Sequence, residues 1–98
     1  MQRFKNLELV HFPEVDEIDK TLLIKNFENF FEKVSVDGEN YLKVSSKEYS
    51  KGGIRKQHEL KAQLYLDGKM FFASETGWKL IETTQNVLKK LEKEATKK

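Results

Sequence analysis

The side chains of this sequence that could do chemistry are mainly lysines, and the most regular group of them lies near the C-terminus. The segment from about Trp78 to Thr96 has apolar residues at the 3.6-residue spacing of a helix with one buried side. On the opposite side, four lysines lie within about 40° of a common direction and a fifth borders the apolar stripe: Lys79, Lys90, Lys93 and Lys97, then Lys89. Such a row can follow a phosphate backbone, because each ammonium is a point charge that tolerates variable geometry. An ordinary solvated helix face also accounts for the row and is the simpler interpretation of the row taken alone.

A second basic element is the connection over residues 47–56. Gly52-Gly53 within it allows the backbone to approach a ligand closely. Tyr49 could stack on a base, and three basic side chains could reach phosphates: Lys51, Arg55 and Lys56. A polar hairpin loop that only contributes solubility is the alternative, and the sequence leaves both open.

Other kinds of chemistry find little support in the residue types. The chain has no cysteine, which excludes disulfides and thiolate sites and suits a cytoplasmic protein. His11 and His58 have no motif around them, and helix capping explains the acidic run 14–19 better than metal binding does. No phosphate-binding loop, dinucleotide fingerprint, nucleophile elbow or HExxH sequence occurs. We therefore expect a protein that is not an enzyme, with no catalytic residue, cofactor, metal or small-molecule substrate.

Length and composition indicate one globular domain over residues 1–98. Apolar residues make up 38% and charged residues 35% of the chain, as expected of a soluble protein with a charged surface. Residues 1–48 carry seven basic and ten acidic side chains, a net charge of −3, whereas residues 49–98 carry eleven and six, a net charge of +5. A polyanionic partner should therefore meet the C-terminal half. No stretch is long and apolar enough to cross a membrane, so no membrane partner is expected.

Six elements are needed to position these side chains. Apolar periodicity and turn residues predict a strand, a helix capped by Asp16, three strands and a last helix capped by Ser74 or Thr76. Their predicted bounds are 4–12, 16 to about 33, 41–46, 54–66, 69–74 and about 78–96. The order β-α-β-β-β-α predicts an α+β fold, a two-layer sandwich in which a four-stranded sheet carries both helices on one face.

The sheet also has a second, open face. Asp67-Gly68 predicts a two-residue type I′ turn, which would pair Leu64 with Phe71. That register places three apolar side chains together on the face opposite the helices: Tyr65, Met70 and Phe72. They could form a recognition or dimer surface, although a few scattered apolar residues on a half-covered sheet are the simpler explanation.

Several of these segments resemble one known family. The stretch Leu60–Leu66, the Asp67-Gly68 turn, the segment Phe71–Glu75 and the helix ending in Lys89–Lys93 are similar to the second half of the ribosome hibernation promoting factors and ribosome-associated inhibitor A. The element order matches that family over nearly the whole chain. None of the matching residues forms a catalytic signature.

The resemblance implies a stress-response protein that occupies the mRNA and tRNA channel of the small ribosomal subunit, blocks translation and preserves idle ribosomes. Family members contact small-subunit rRNA through basic residues on both helices and adjoining strands. The position-matched residues here are Lys79, Lys89, Lys90 and Lys93, and Lys97 continues the row. Residues Lys51, Arg55 and Lys56 are added because of their charge and position.

Two features depart from the family pattern. The first helix keeps only three lysines among many acids, and the connection around Gly52-Gly53 is longer than in familiar bacterial members. The chain ends after the last helix, as in the short form without a dimerisation domain. A monomer suits this pattern, but the sequence leaves the oligomeric state open.

Two other functions stay open at this stage. One is a free-standing module for structured or double-stranded RNA, although the helix start Gly77–Leu80 lacks the clustered lysines that such modules carry there. The other is a protein-interaction module that acts through the open sheet face.

Overall fold

The computed structural model describes residues 6–34, 39–51, 53 and 55–96, without the side chains of residues 51 and 55. The elements are β1 (Leu7–Val10), α1 (Glu17–Val34), β2 (Tyr41–Lys51), β3 (Arg55–Leu66), β4 (Lys69–Gly77) and α2 (Leu80–Thr96). The predicted order and the predicted α+β class are confirmed. No helix among the described residues is long and apolar enough to span a membrane.

The four strands form one mixed sheet in the order β1-β2-β3-β4. β1 runs parallel to β2, and the other two pairs are antiparallel. A parallel pair requires a crossover connection, which α1 provides between β1 and β2. The remaining strands follow one another as hairpins, so all chain reversals after β2 are local.

The turn between β3 and β4 has the predicted type I′ conformation. Asp67 and Gly68 have φ angles of 51° and 83°, the positive values that this turn requires at both central residues. The Asn40 side-chain oxygen accepts a hydrogen bond from the Asp67 backbone N–H at 2.9 Å. Leu64 pairs with Phe71, as predicted, so the two faces of the hairpin are assigned correctly.

α1 begins at the predicted cap. The Asp16 carboxylate accepts the Asp19 backbone N–H at 2.8 Å, which satisfies one of the free donors of the first turn. Glu17 and Asp19 stand at the positive end of the helix dipole. One side of the helix is buried through four apolar residues: Leu23, Phe27, Phe30 and Val34.

The core lies between the sheet and the two helices. Both helices contribute to the same cluster of buried residues as one face of the sheet, so the opposite face has no covering layer among the described residues. The buried apolar side chains of the sheet are Leu7, Leu42, Val44, Leu60, Ala62 and Leu64, and those of α2 include Val87, Leu88 and Leu91.

Three predicted boundaries are wrong. β2 continues past Ser46 to Lys51, because residues 47–51 pair with 55–59 of β3 even though they are polar. β4 continues to Gly77, so Ser74 and Thr76 are strand residues and do not cap α2. β1 is confined to Leu7–Val10, and residues 4 and 5 of the predicted strand lie outside the described residues.

Candidate nucleic-acid interface

The lysines of α2 lie on the side of the helix that faces away from the core. Lys79, which precedes the helix, and Lys89, Lys90 and Lys93 are all exposed. At 1.5 Å per residue, about 20 Å of helix separates Lys79 from Lys93. Lys97 lies outside the described residues, so the described row ends at Lys93.

Lys90 differs from its neighbours because it already has partners. Its ammonium lies 3.2 Å from the Glu75 carboxylate and donates to the Ser74 carbonyl oxygen at 3.2 Å. Within the described ranges, Lys89 and Lys93 form no ion pair. Lys89 and Lys93 are therefore better placed than Lys90 to receive a phosphate.

The second basic element lies in an extended hairpin and not in a loop. β2 pairs with β1 only as far as Ser45, and β3 meets β4 only from His58 onward. Residues 49–51 and 55–57 are therefore paired only with each other, and this ribbon projects beyond its described neighbours in the sheet. A narrow two-stranded ribbon of this kind can reach into a groove of a partner.

Some of the positive charges on the ribbon and at its base already have acidic or aromatic partners. Lys56 lies 3.9 Å from the Glu48 carboxylate, an exposed pair of the kind that contributes little to stability. Lys47 stands over the Tyr49 ring at 5.6 Å, and the Tyr49 hydroxyl donates to Glu59 at 3.0 Å. Lys51 and Arg55 are paired across the ribbon through their backbones.

The two predicted basic groups occupy different ends of the molecule. β4 ends at Gly77 opposite His58, so Lys79 lies at the end of the sheet from which the ribbon projects. The chain then reverses, and Lys90 is opposite Ser74, further from the ribbon. The structure thus brings Lys79 toward the ribbon but leaves Lys89, Lys90 and Lys93 on the distant part of α2.

The open sheet face contains the three apolar residues predicted for it, together with polar residues from β2 and β3. Phe72 and Met70 are 62% and 40% exposed. Tyr65 stacks on Tyr41 of β2, with ring centroids 5.7 Å apart and an interplanar angle of 18°. Between and beside them lie four polar residues: Lys43, Ser45, Lys61 and Gln63. The period-two alternation of β2 was the available signal, but it assigns a face only once the pairing of β2 with β3 is known.

Metal ligands do not come together in the described part of the chain. No group of three or more histidine, aspartate or glutamate side chains lies close enough there to hold an ion. His58 is half-buried on the helix side of β3, and its Nδ1 has no hydrogen-bond partner among the described residues. The chemistry that this surface supports is the binding of anions and planar rings.

Comparison with known proteins gives a match at the level of the fold. No protein-family model matches the sequence, and no curated protein matches it. The N-terminal domain of protein Y from Thermus thermophilus has a TM-score of 0.59 and 16% identity, with 91% of each chain covered. A ribosomal subunit interface protein from Coxiella burnetii has a TM-score of 0.63 and 12% identity, with 93% of each chain covered. Both are of the hibernation-factor type, so the resemblance inferred from the sequence is confirmed as a shared fold over nearly the whole chain.

Proposed function

We propose that this protein associates with the ribosome in the cytoplasm and contacts small-subunit rRNA through its exposed lysines, acting as a translation inhibitor that preserves idle ribosomes. The observation that carries the proposal is the fold, which matches a ribosomal subunit interface protein over 93% of both chains. The fold alone does not specify the surface that makes the contact, and the charges of the molecule supply that part of the argument.

The contact surface is assigned to α2 and to the projecting ribbon. Lys89 and Lys93 are exposed and free of ion pairs among the described residues, so phosphates can bind them without displacing a carboxylate. Lys79, Lys51, Arg55 and Lys56 would form a second contact at the other end of the molecule. Two separated groups of cations suit a folded rRNA surface, which presents phosphates from several strands, and shape governs such recognition more than base sequence does.

Co-sedimentation with purified small ribosomal subunits across a salt series tests the proposal. Each lysine–phosphate contact should reduce the logarithm of the affinity by about 0.7–0.9 for each tenfold increase in salt. About five contacts would therefore give a steep dependence on salt. Absence of binding at low salt, or binding that does not respond to salt, would contradict the proposal.

A charge-matched pair of variants locates the surface. We expect Lys93→Glu to weaken ribosome binding, because it places a carboxylate where a phosphate would bind. Lys25→Glu changes the net charge equally but lies on α1, outside the assigned surface, and should have a smaller effect. Equal losses in the two variants would indicate a response to net charge only. Competition with duplex RNA separates ribosome binding from a general affinity for structured RNA.

A further inference from the structure

The open sheet face is organised in rows that alternate aromatic and ionic character. β3 lies between β2 and β4, so residues in register on the three strands form rows across the sheet. Adjacent rows on this face are two residues apart, about 6.6 Å along the strands. The first row is Tyr41, Tyr65 and Met70, the second is Lys43, Gln63 and Phe72, and the third is Ser45, Lys61 and Ser74.

The third row has the chemistry of a phosphate site. Lys61 is exposed and is flanked by two serines, one on each neighbouring strand. It forms no ion pair with any described residue. A lysine in register between two serines offers a positive charge and hydroxyl hydrogen-bond donors to a tetrahedral anion.

The first two rows have the chemistry of a base site. Phe72 is 62% exposed on β4, a strand whose alternate residues face the helix side. The stacked Tyr41 and Tyr65 rings and the Met70 side chain extend the apolar surface beside it. Gln63, between Lys43 and Phe72, carries both a donor and an acceptor for the edge of a base.

Among the described residues this face carries two acidic groups, one at the end of the second row and one beyond the third row. Glu8 pairs with Lys43 in register on β1. Glu59 lies beyond the third row and accepts a hydrogen bond from the Tyr49 hydroxyl. Lys43, Lys47 and Lys61 outnumber them among the described side chains. The face therefore complements a partner that is anionic and carries planar rings.

From these rows we infer that the open sheet face binds single-stranded RNA, with bases stacked on Phe72 and Tyr65 and a backbone phosphate held by Lys61 between Ser45 and Ser74. Duplex RNA does not fit this site, because its bases are already stacked on one another and do not present a free face. This site is on the sheet and is separate from the α2 lysines assigned to the ribosome.

Binding of a fluorescently labelled single-stranded RNA of about ten nucleotides, measured by anisotropy in the absence of ribosomes, tests the inference. We expect Phe72→Ala to reduce the affinity about fivefold or more, because stacking of one base on an aromatic ring contributes at least that factor. Lys61→Ala should reduce the affinity and lower the salt dependence by about 0.7, the contribution of one phosphate contact to a single strand.

Ile18→Ala is the matched control, because Ile18 is 74% exposed but lies on α1. It should bind the oligonucleotide like the parent protein. Equal binding by Phe72→Ala and the parent protein, or no binding by the parent protein at low salt, would overturn the inference.

Sedimentation velocity gives a third outcome: a dimer that Phe72→Ala abolishes, without RNA binding, would mean that the face is occupied by a second copy of the chain. Because the assay contains no ribosomes, failure here is distinct from failure of ribosome association.

Discussion

The two faces of the sheet are built from the same strands but differ in what covers them. Along β3, Leu60, Ala62 and Leu64 are buried beneath the helices, while the intervening Lys61 and Gln63 face the open side. The helix-covered face holds the continuous apolar core, and the open face mixes aromatic, ionic and hydroxyl groups. Single-residue alternation therefore separates the part of each strand that stabilises the fold from the part that is available to a partner.

This difference makes matched substitutions informative. A change on the covered face alters packing and should be visible as a loss of folding free energy. A change on the open face removes little packing, so its effects should be on binding. Pairs of similar residues on the two sides can test the separation directly.

The largest expected contrast is between two phenylalanines. Phe27 is fully buried on α1, and Phe27→Ala should lower the free energy of unfolding by about 3–5 kcal/mol through lost burial and a residual cavity. Phe72→Ala on the open face should change it by less than about 0.5 kcal/mol. Urea unfolding followed by circular dichroism measures both, with the slope as a check that the denatured states are comparable. Similar losses of unfolding free energy in the two variants would mean that Phe72 is packed against other side chains and is not free for a partner.

The next contrast is between adjacent residues at the end of β4. Gly77 faces the helix side, and a Cβ at this position would collide with Thr83 Oγ1. The Thr83 hydroxyl donates to the Lys79 carbonyl oxygen at 2.6 Å, so it cannot move aside without losing that bond. Gly77→Ala should therefore lower the free energy of unfolding by about 1–3 kcal/mol. Thr76→Ala on the open side should lower it by less than about 1 kcal/mol.

A double variant gives the control for this prediction. Gly77→Ala combined with Thr83→Ala removes the atom that causes the collision, so the combined loss should be smaller than the sum of the single losses. Additive losses, measured by thermal unfolding, would show that the collision is not the cause.

The features that the sequence predicted correctly are those with local causes. The Asp67-Gly68 turn and the register of β3 with β4 follow from backbone preferences of adjacent residues and from alternation. The Asp16 cap follows from the position of an acceptor side chain before an apolar period. In each case the determining atoms lie within a few residues of one another.

The features that the sequence did not predict depend on residues that are distant along the chain. Residues 47–51 have no apolar alternation, and they form a strand because 55–59 lie beside them. The α2 lysines could be assigned to one side of a helix by their spacing, but the ion pair of Lys90 required knowledge of where β4 passes. Lys43 became a neighbour of the aromatic residues only when β2 was in register with β3.

A smaller difference in stability is expected between two serine substitutions, and here the change on the covered face should raise stability. Ser46 is 6% exposed on the covered face, and its hydroxyl has no hydrogen-bond partner within the described part of the chain. Ser46→Ala removes a desolvated polar group at nearly constant volume, so stability should rise by about 1 kcal/mol. Ser45→Ala on the open face should be neutral within about 0.5 kcal/mol. A loss of stability in Ser46→Ala, measured by urea unfolding, would mean that its hydroxyl is bonded.

The smallest effect on stability is expected for Lys90→Ala. The Lys90 ammonium links α2 to Ser74 and Glu75 of β4. Its contact with Glu75 is exposed, so Lys90→Ala should lower the free energy of unfolding by less than about 1 kcal/mol. Because a phosphate must displace that carboxylate, Lys90→Ala should also weaken ribosome co-sedimentation less than Lys93→Ala does. Glu75→Gln releases the Lys90 ammonium and should strengthen binding at low salt. If Lys90→Ala instead costs more affinity than Lys93→Ala, the bound RNA draws Lys90 away from Glu75, and the contact surface extends around α2 to the edge of the sheet.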